Sequence, residues 1–196
     1  MQVIVVIGQK NSMYATLLMY QRSEEMNWEL AGEMDSVIGR NGLTDDKKEG
    51  DGKTPTGHYR IGTAFGTLGI IPCEWPFRFT GPNDYWVDDP ASPDYNRWVV
   101  CAGNPDERWT SYERLAIPEY KQALVIRYNE NPVIAGKGSA IFLHRWSGPG
   151  RPSAGCITVS EENVKRVIQW LVPDKNPVIR IKEESDSHLI PGELVR

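Results

Sequence analysis

Short runs of β-branched and apolar residues, each closed off by glycine, proline, asparagine or serine, recur along this chain, and only one stretch reads clearly as a helix. Residues 2–7, 16–21, 28–33 and 37–38 read as strands, with Arg40-Asn41-Gly42 as a turn after them. Residues 123–128 form a further strand, set apart by Pro132, Gly136 and Gly138 from a partner strand over 140–143. Residues 157–159 and 178–181 complete the set. The helix begins at Ser160, a good N-cap. Glu161 and Glu162 complement its dipole, Val164, Val167, Ile168 and Leu171 recur at helical spacing, and Pro173 stops it. Its apolar face should cover the strands behind Cys156.

Residues 138–158, GSAIFLHRWSGPGRPSAGCIT, place His144 at a strand end and Cys156 at the far end of a loop rich in glycine and proline. A strand, loop, strand connection brings the two near each other. An imidazole that takes a thiol proton yields a thiolate able to attack a carbonyl. Gly155, beside the sulfur and lacking a Cβ, lets the backbone approach a substrate and aim N–H groups at an oxyanion. The competing reading is a buried structural cysteine and a satisfied histidine.

At these residues the chain resembles the L,D-transpeptidases with a YkuD-type catalytic domain. His144, Ser153, Gly155, Cys156 and Ile157 fill the positions of the family signature, and Ala154 stands where most members carry a second histidine. Residues 50–66 (GDGKTPTGHYRIGTAFG) and 84–99 (DYWVDDPASPDYNRWV) look like one branch of that family, the one with Ser/Thr-Ala-Gly-Cys. The resemblance covers most of the chain. It implies a mainly β fold of β-sandwich type, with a helix after the catalytic cysteine and a long aromatic-rich insertion, as a single catalytic domain over 1–196. The tail over 183–196 is expected to be loose or weakly docked, and His188 in it solvated. The implied activity is acyl transfer on peptidoglycan stem peptides. Cys156 is the nucleophile, His144 the general base and acid or the partner of a thiolate–imidazolium ion pair, and the Gly155 and Cys156 N–H groups the oxyanion donors. A carbonyl near Arg145 fixes the imidazole tautomer. Arg145, Trp146, Arg151 and Ser153 are the candidate substrate contacts. Water as acceptor would make the protein a carboxypeptidase, another amide would make it a cysteine peptidase or amidase, and an unreactive thiol would leave a wall-binding module. Metal and organic cofactors are unnecessary to this chemistry.

The remaining features narrow the class. A length of 196 residues with 40% apolar content suits one sizeable core. A net charge of −4 argues against nucleic acid as a partner. No apolar run approaches the ~18 residues needed to span a bilayer. Met1 leads straight into the first strand without a basic n-region. Either a signal or anchor lies outside this sequence and the protein is extracytoplasmic, the reading that the resemblance to wall enzymes favours, or the protein works inside the cell. Cys73 and Cys101 either pair, leaving Cys156 free, or stay reduced. No CxxC or histidine cluster suggests a metal site. The Gly-Lys-Thr of GDGKTPTG fails as a P-loop, because Lys47 and Pro55 stand where a glycine and a helix are needed. That segment instead reads as a turn delivering residues 59–61 into the sheet, with His58 on the surface. Trp75, Phe77, Phe79, Tyr85, Trp86, Tyr95 and Trp98 mark the insertion, readable as a cleft wall or as a satellite core. Asp88 and Asp89, adjacent and followed by Pro90, are discounted as a glycosidase pair.

Overall fold

The computed structural model describes residues 1–69 and 72–186. Its strands are β1 (Gln2–Gln9), β2 (Ser12–Arg22), β3 (Trp28–Val37), β4 (Leu43–Thr44), β5 (Thr54–Pro55), β6 (Gly57–Gly66) and β7 (Phe77–Phe79). They continue as β8 (Asp84–Val87), β9 (Arg97–Val100), β10 (Tyr112–Arg114), β11 (Ala123–Ile126), β12 (Phe142–Arg145) and β13 (Ile157–Val159). Helix α1 (Glu161–Trp170) follows, and β14 (Val178–Glu183) ends the series.

Nine strands form one sheet in the order β11-β12-β13-β3-β2-β1-β14-β6-β7, and a further pairing of β11 with β6 closes it on itself. The mainly β architecture implied by the resemblance is present, with β11 closing onto β6 and β7 appended to β6 outside the ring. The run Val3-Ile4-Val5-Val6 is apolar without alternation because β1 is covered on both faces. Ile4 and Val6 enter the main core, while Val3 and Val5 pack under Leu18, Tyr20 and Trp28. β2 and β3 pair antiparallel from Tyr14↔Val37 to Arg22↔Trp28, a longer hairpin than the apolar runs alone suggest.

Helix α1 starts as its sequence dictates. The Ser160 hydroxyl accepts the Asn163 N–H at 3.2 Å, and Val164, Val167, Ile168 and Leu171 turn into the main core against Leu143, Ile157 and Val159. β11 pairs antiparallel with β12, and β12 parallel with β13 through Leu143↔Ile157 and His144↔Thr158. Side chains on these strands alternate. Leu124, Leu143 and Ile157 point into the main core, whereas Ala123, Val125, Phe142 and Cys156 form a second cluster on the other face.

The aromatic insertion covers that second face. It contains its own three-stranded sheet, β10-β8-β9, and sends Trp86 and Leu115 against Phe65, Tyr120 and Phe142. The Trp86 and Phe142 rings meet edge to face at 5.1 Å. The insertion is thus both a satellite core, around Tyr85, Val87 and Trp109, and the cover over Cys156. Cys73 and Cys101 are unbridged and belong to different clusters. His58 is exposed on β6, opposite Arg180. β14 runs to Glu183 and a 3-10 turn, Glu184–Asp186, follows it. Residues 187–196, including His188, lie outside the described residues. Among the described residues no helix is long and apolar enough to cross a membrane.

Candidate active site

Cys156 directly precedes β13. Its thiol donates to the Ala140 carbonyl at 3.2 Å and accepts the Phe142 N–H at 3.4 Å. Ala140 reaches that position in the left-handed region, at φ +53°, a conformation that L residues other than glycine seldom adopt. Asn96 holds it there. Its Oδ1 accepts the Ala140 N–H at 3.2 Å and the Trp86 Nε1–H at 3.0 Å, and its Nδ2 donates to the Tyr128 and Asn129 carbonyls, each at 2.9 Å. The left-handed Ala140 also explains why the strand expected over 140–143 begins only at Phe142 and runs on to Arg145.

The turn before the sulfur is tied from both sides. Ser153 Oγ accepts the Gly155 N–H at 3.1 Å and donates to the Cys156 carbonyl at 2.6 Å. Thr54, from the GDGKTPTG segment, donates through Oγ1 to the Gly155 carbonyl at 2.7 Å. A Cβ on Gly155, at φ +154°, would lie 2.9 Å from the Lys53 carbonyl oxygen, so glycine is required for close approach. In this resting arrangement the N–H of Gly155, the expected oxyanion donor, is engaged by Ser153, and the hydroxyl of Ser153, an expected substrate contact, is engaged inside the turn. The Cys156 N–H takes no part in these turn bonds.

His144 lies on β12 between Ala123 of β11 and Thr158 of β13. It shares the sheet face of Phe142 and Cys156, but stands two residues along from the position level with the cysteine, about 7 Å by strand rise. Its Nδ1 is 2.8 Å from the Arg145 carbonyl. A carbonyl only accepts, so Nδ1 carries the proton and Nε2 keeps its lone pair. The Tyr120 ring stands edge-on to the imidazole at 5.0 Å. Burial lowers the His144 pKa to about 4, partly opposed by the Arg145 carbonyl. Burial likewise pushes the Cys156 thiol well up, with Glu113 adding to the effect and the Phe142 N–H and Lys47 opposing it. Both groups are therefore neutral at pH 7 in the resting site. The thiol's hydrogen bonds go to Ala140 and Phe142, and none joins it to the imidazole. Burial and these separate partners disfavour a resting thiolate–imidazolium pair.

The other expected contacts lie elsewhere. Arg145 is committed to the scaffold, its Nε donating to the Pro118 carbonyl at 2.8 Å and its guanidinium pairing with Glu161 at 3.4 Å. Trp146 lines a separate groove with Tyr14 and Pro149, and Arg151 is exposed on the loop.

A cavity of about 150 Å³ opens on the sulfur, and sequence reasoning missed most of its walls: Lys47, Glu49, Asp88, Glu113 and Ser139 join Ala140, Gly155 and Cys156. These residues come from separate segments, and no local motif ties them together. Glu49 accepts the Tyr95 hydroxyl at 2.5 Å and the Ser139 hydroxyl at 2.7 Å, and Glu113 accepts the Tyr120 hydroxyl. Lys47 is neutralised by Asp51 at 2.5 Å. Asp89 turns away from Asp88 to accept the Ala91 and Thr110 N–H groups, so the adjacent acids point apart.

A family model described as YkuD, L,D-transpeptidase catalytic domain, matches residues 2–179. No curated protein and no solved structure matches the chain.

Proposed function

The chain belongs to the YkuD family of L,D-transpeptidase catalytic domains, and we propose that it transfers acyl groups between peptidoglycan stem peptides outside the cytoplasmic membrane, with Cys156 as nucleophile. His144 Nε2 takes the thiol proton as the sulfur attacks the carbonyl at the L-centre of the diamino acid, just before the terminal D-Ala of a stem tetrapeptide. The imidazolium protonates the departing D-Ala, and an amine from a second stem resolves the thioester. The Cys156 N–H, left out of the turn that engages Gly155, is the backbone oxyanion donor. Such a donor contributes about 3 kcal/mol in related acyl transfer.

The observation that carries this reading is the cavity opening on Cys156, with His144 on the same sheet face and its proton held on Nδ1 by the Arg145 carbonyl. The thiol must swing from Ala140 toward Nε2, a tightening that substrate binding commonly brings to resting catalytic pairs. The test is mass spectrometry of a tetrapeptide muropeptide incubated with the protein and excess D-methionine, beside Cys156→Ala. Exchange of D-Ala for D-Met that depends on the thiol is the expected result. Loss of D-Ala without exchange means water is the acceptor, and an unchanged muropeptide overturns the reading. The protonated, hydrogen-bonded thiol favours a second reading, a wall-binding module. That reading requires Cys156 to be alkylated no faster than a free thiol at pH 7.

A further inference from the structure

Thr54 is fully buried, and its hydroxyl joins two segments that lie far apart in the chain. Its Oγ1 donates to the Gly155 carbonyl at 2.7 Å and accepts the Gly39 N–H at 2.9 Å. A carbonyl only accepts and an N–H only donates, so the single hydroxyl proton is committed to Gly155. The threonine backbone is fixed as well. Its N–H donates to the Gly42 carbonyl at 2.9 Å, and β5 pairs with β4 through Leu43↔Thr54. The peptide between Gly155 and Cys156 is trans, so its C=O and N–H point in opposite directions. With the carbonyl tied to Thr54, the Cys156 N–H points away from Thr54. Gly155 and Cys156 line the cavity on the sulfur, and Thr54 does not. Among the described residues the Cys156 N–H has no acceptor.

We propose that Thr54 is the positioning residue for the oxyanion donor: its hydroxyl holds the Gly155–Cys156 peptide at the tilt that aims the Cys156 N–H at the oxygen of the attacked carbonyl. The proposal rests on the reading of Cys156 as nucleophile. Three successive peptides are involved, and they are held by different side chains. Ser153 ties the Gly155 N–H and the Cys156 carbonyl, which belong to the peptides on either side. The middle peptide, which carries the donor, is held among the described residues by Thr54. One peptide plane can rotate between fixed neighbours, and Gly155, with no Cβ, makes that rotation cheap. An oxyanion donor lowers the barrier only when it is aimed before charge develops, because turning a dipole during the reaction gives back what the hydrogen bond supplies. Thr54 stands outside the cavity and so acts through that peptide, with no contact to substrate.

The test compares two reactions of Cys156 that differ in whether charge develops on an oxygen. With p-nitrophenyl acetate the sulfur bonds to the acetyl carbon through an oxyanion, the ester C–O bond breaks, and the thiol proton passes through His144 to the departing nitrophenolate. With iodoacetamide the sulfur displaces iodide at a methylene, and no oxyanion forms. Peptide mass spectrometry follows both rates at Cys156 apart from Cys73 and Cys101. Their ratio reads the donor, since thiol reactivity and access enter both rates. Thr54→Val keeps the side-chain shape and loses the hydroxyl. Thr54→Ser and Thr54→Ala both lose the methyl and differ by the hydroxyl, so this pair decides if Thr54→Val does not fold. The acylation-to-alkylation ratio should fall about tenfold from wild type to Thr54→Val and from Thr54→Ser to Thr54→Ala, short of the roughly 10²- to 10³-fold that outright loss of a donor costs. Thr54→Ser should hold most of the wild-type ratio. An unchanged ratio across either pair, or acylation and alkylation falling together, confines Thr54 to stability and overturns the proposal. The ester carries no stem peptide. A wild type that takes the acetyl group but exchanges no D-Ala therefore refutes the peptidoglycan substrate and leaves the variant ratios to decide on Thr54. One that is alkylated but never acylated overturns the nucleophile and the proposal together.

Discussion

Replacing Asn96 by alanine tests whether the insertion positions the nucleophile. Asn96 is buried and makes four hydrogen bonds: to the Ala140 and Trp86 N–H groups and to the Tyr128 and Asn129 carbonyls. At about 1 kcal/mol net for each bond, the side chain accounts for about 4 kcal/mol. Asn96 itself sits at φ +56°, where alanine adds about 1 kcal/mol of strain. The sum is about 5 kcal/mol, a large share of the 5 to 15 kcal/mol typical of a domain. Urea unfolding followed by tryptophan fluorescence reads the loss. Asn96→Gly, which removes the same bonds without the left-handed strain, should recover about 1 kcal/mol. Release of Ala140 should also free the Cys156 thiol from its carbonyl partner and speed labelling by neutral iodoacetamide in the folded state. A loss below about 1 kcal/mol would refute the reasoning, since it would mean that water replaces all four bonds. Unchanged labelling with the expected loss would confine Asn96 to stability alone.

Gly155→Ala places a Cβ against the Lys53 carbonyl at positive φ. It should destabilise by about 2 to 3 kcal/mol and abolish acyl transfer, with a lowered thermal midpoint and no thioester by mass spectrometry. Ser160→Ala removes the helix cap on Asn163 and should cost about 1 kcal/mol in urea unfolding while leaving Cys156 chemistry intact. The pH dependence of stability has two opposed parts. His144, at about 4 when folded against an ordinary value of 6.5, withholds a proton that the unfolded chain binds, so stability falls by up to about 3 kcal/mol as pH drops from 6.5 to 4. Glu113, at about 7 against 4.5, stabilises fully below 4.5 and loses that contribution as pH rises to 7. The wild-type profile over that interval should be shallow, and in Glu113→Gln stability should fall more steeply toward acid. Parallel urea midpoints for the two proteins at pH 4.5, 5.5 and 6.5 would contradict this.

The frame and the reactive pair are legible because their signals are local. Ser160 with Val164, Val167 and Ile168 specifies α1, and Ile157-Thr158-Val159 matches β13 residue for residue. His144 and Cys156 stand out through their shared loop and the family signature. The cavity is not legible in this way. Glu49, Asp88 and Glu113 are far apart in the chain, and they meet only because the insertion folds back over β12. Discounting Asp88 and Asp89 as a pair of acids says nothing about either alone, since adjacency in sequence does not tell which of the two lines a cavity. Ser153 and Gly155 belong to the signature, yet it cannot tell a hydroxyl offered to substrate from one consumed by its own turn.

The closed ring of strands carries the imidazole and leads out of the cysteine, while Glu113 lies on β10 of the insertion's small sheet and Asp88 directly follows its β8. The Cys–His pair and the acids across the cavity from it are thereby written on different lengths of chain. The insertion can change its charges by single substitutions while the ladder that spaces His144 from Cys156 keeps its register. On the reading of Cys156 as nucleophile, the insertion's side of the cavity can change without disturbing the two strands that set the pair.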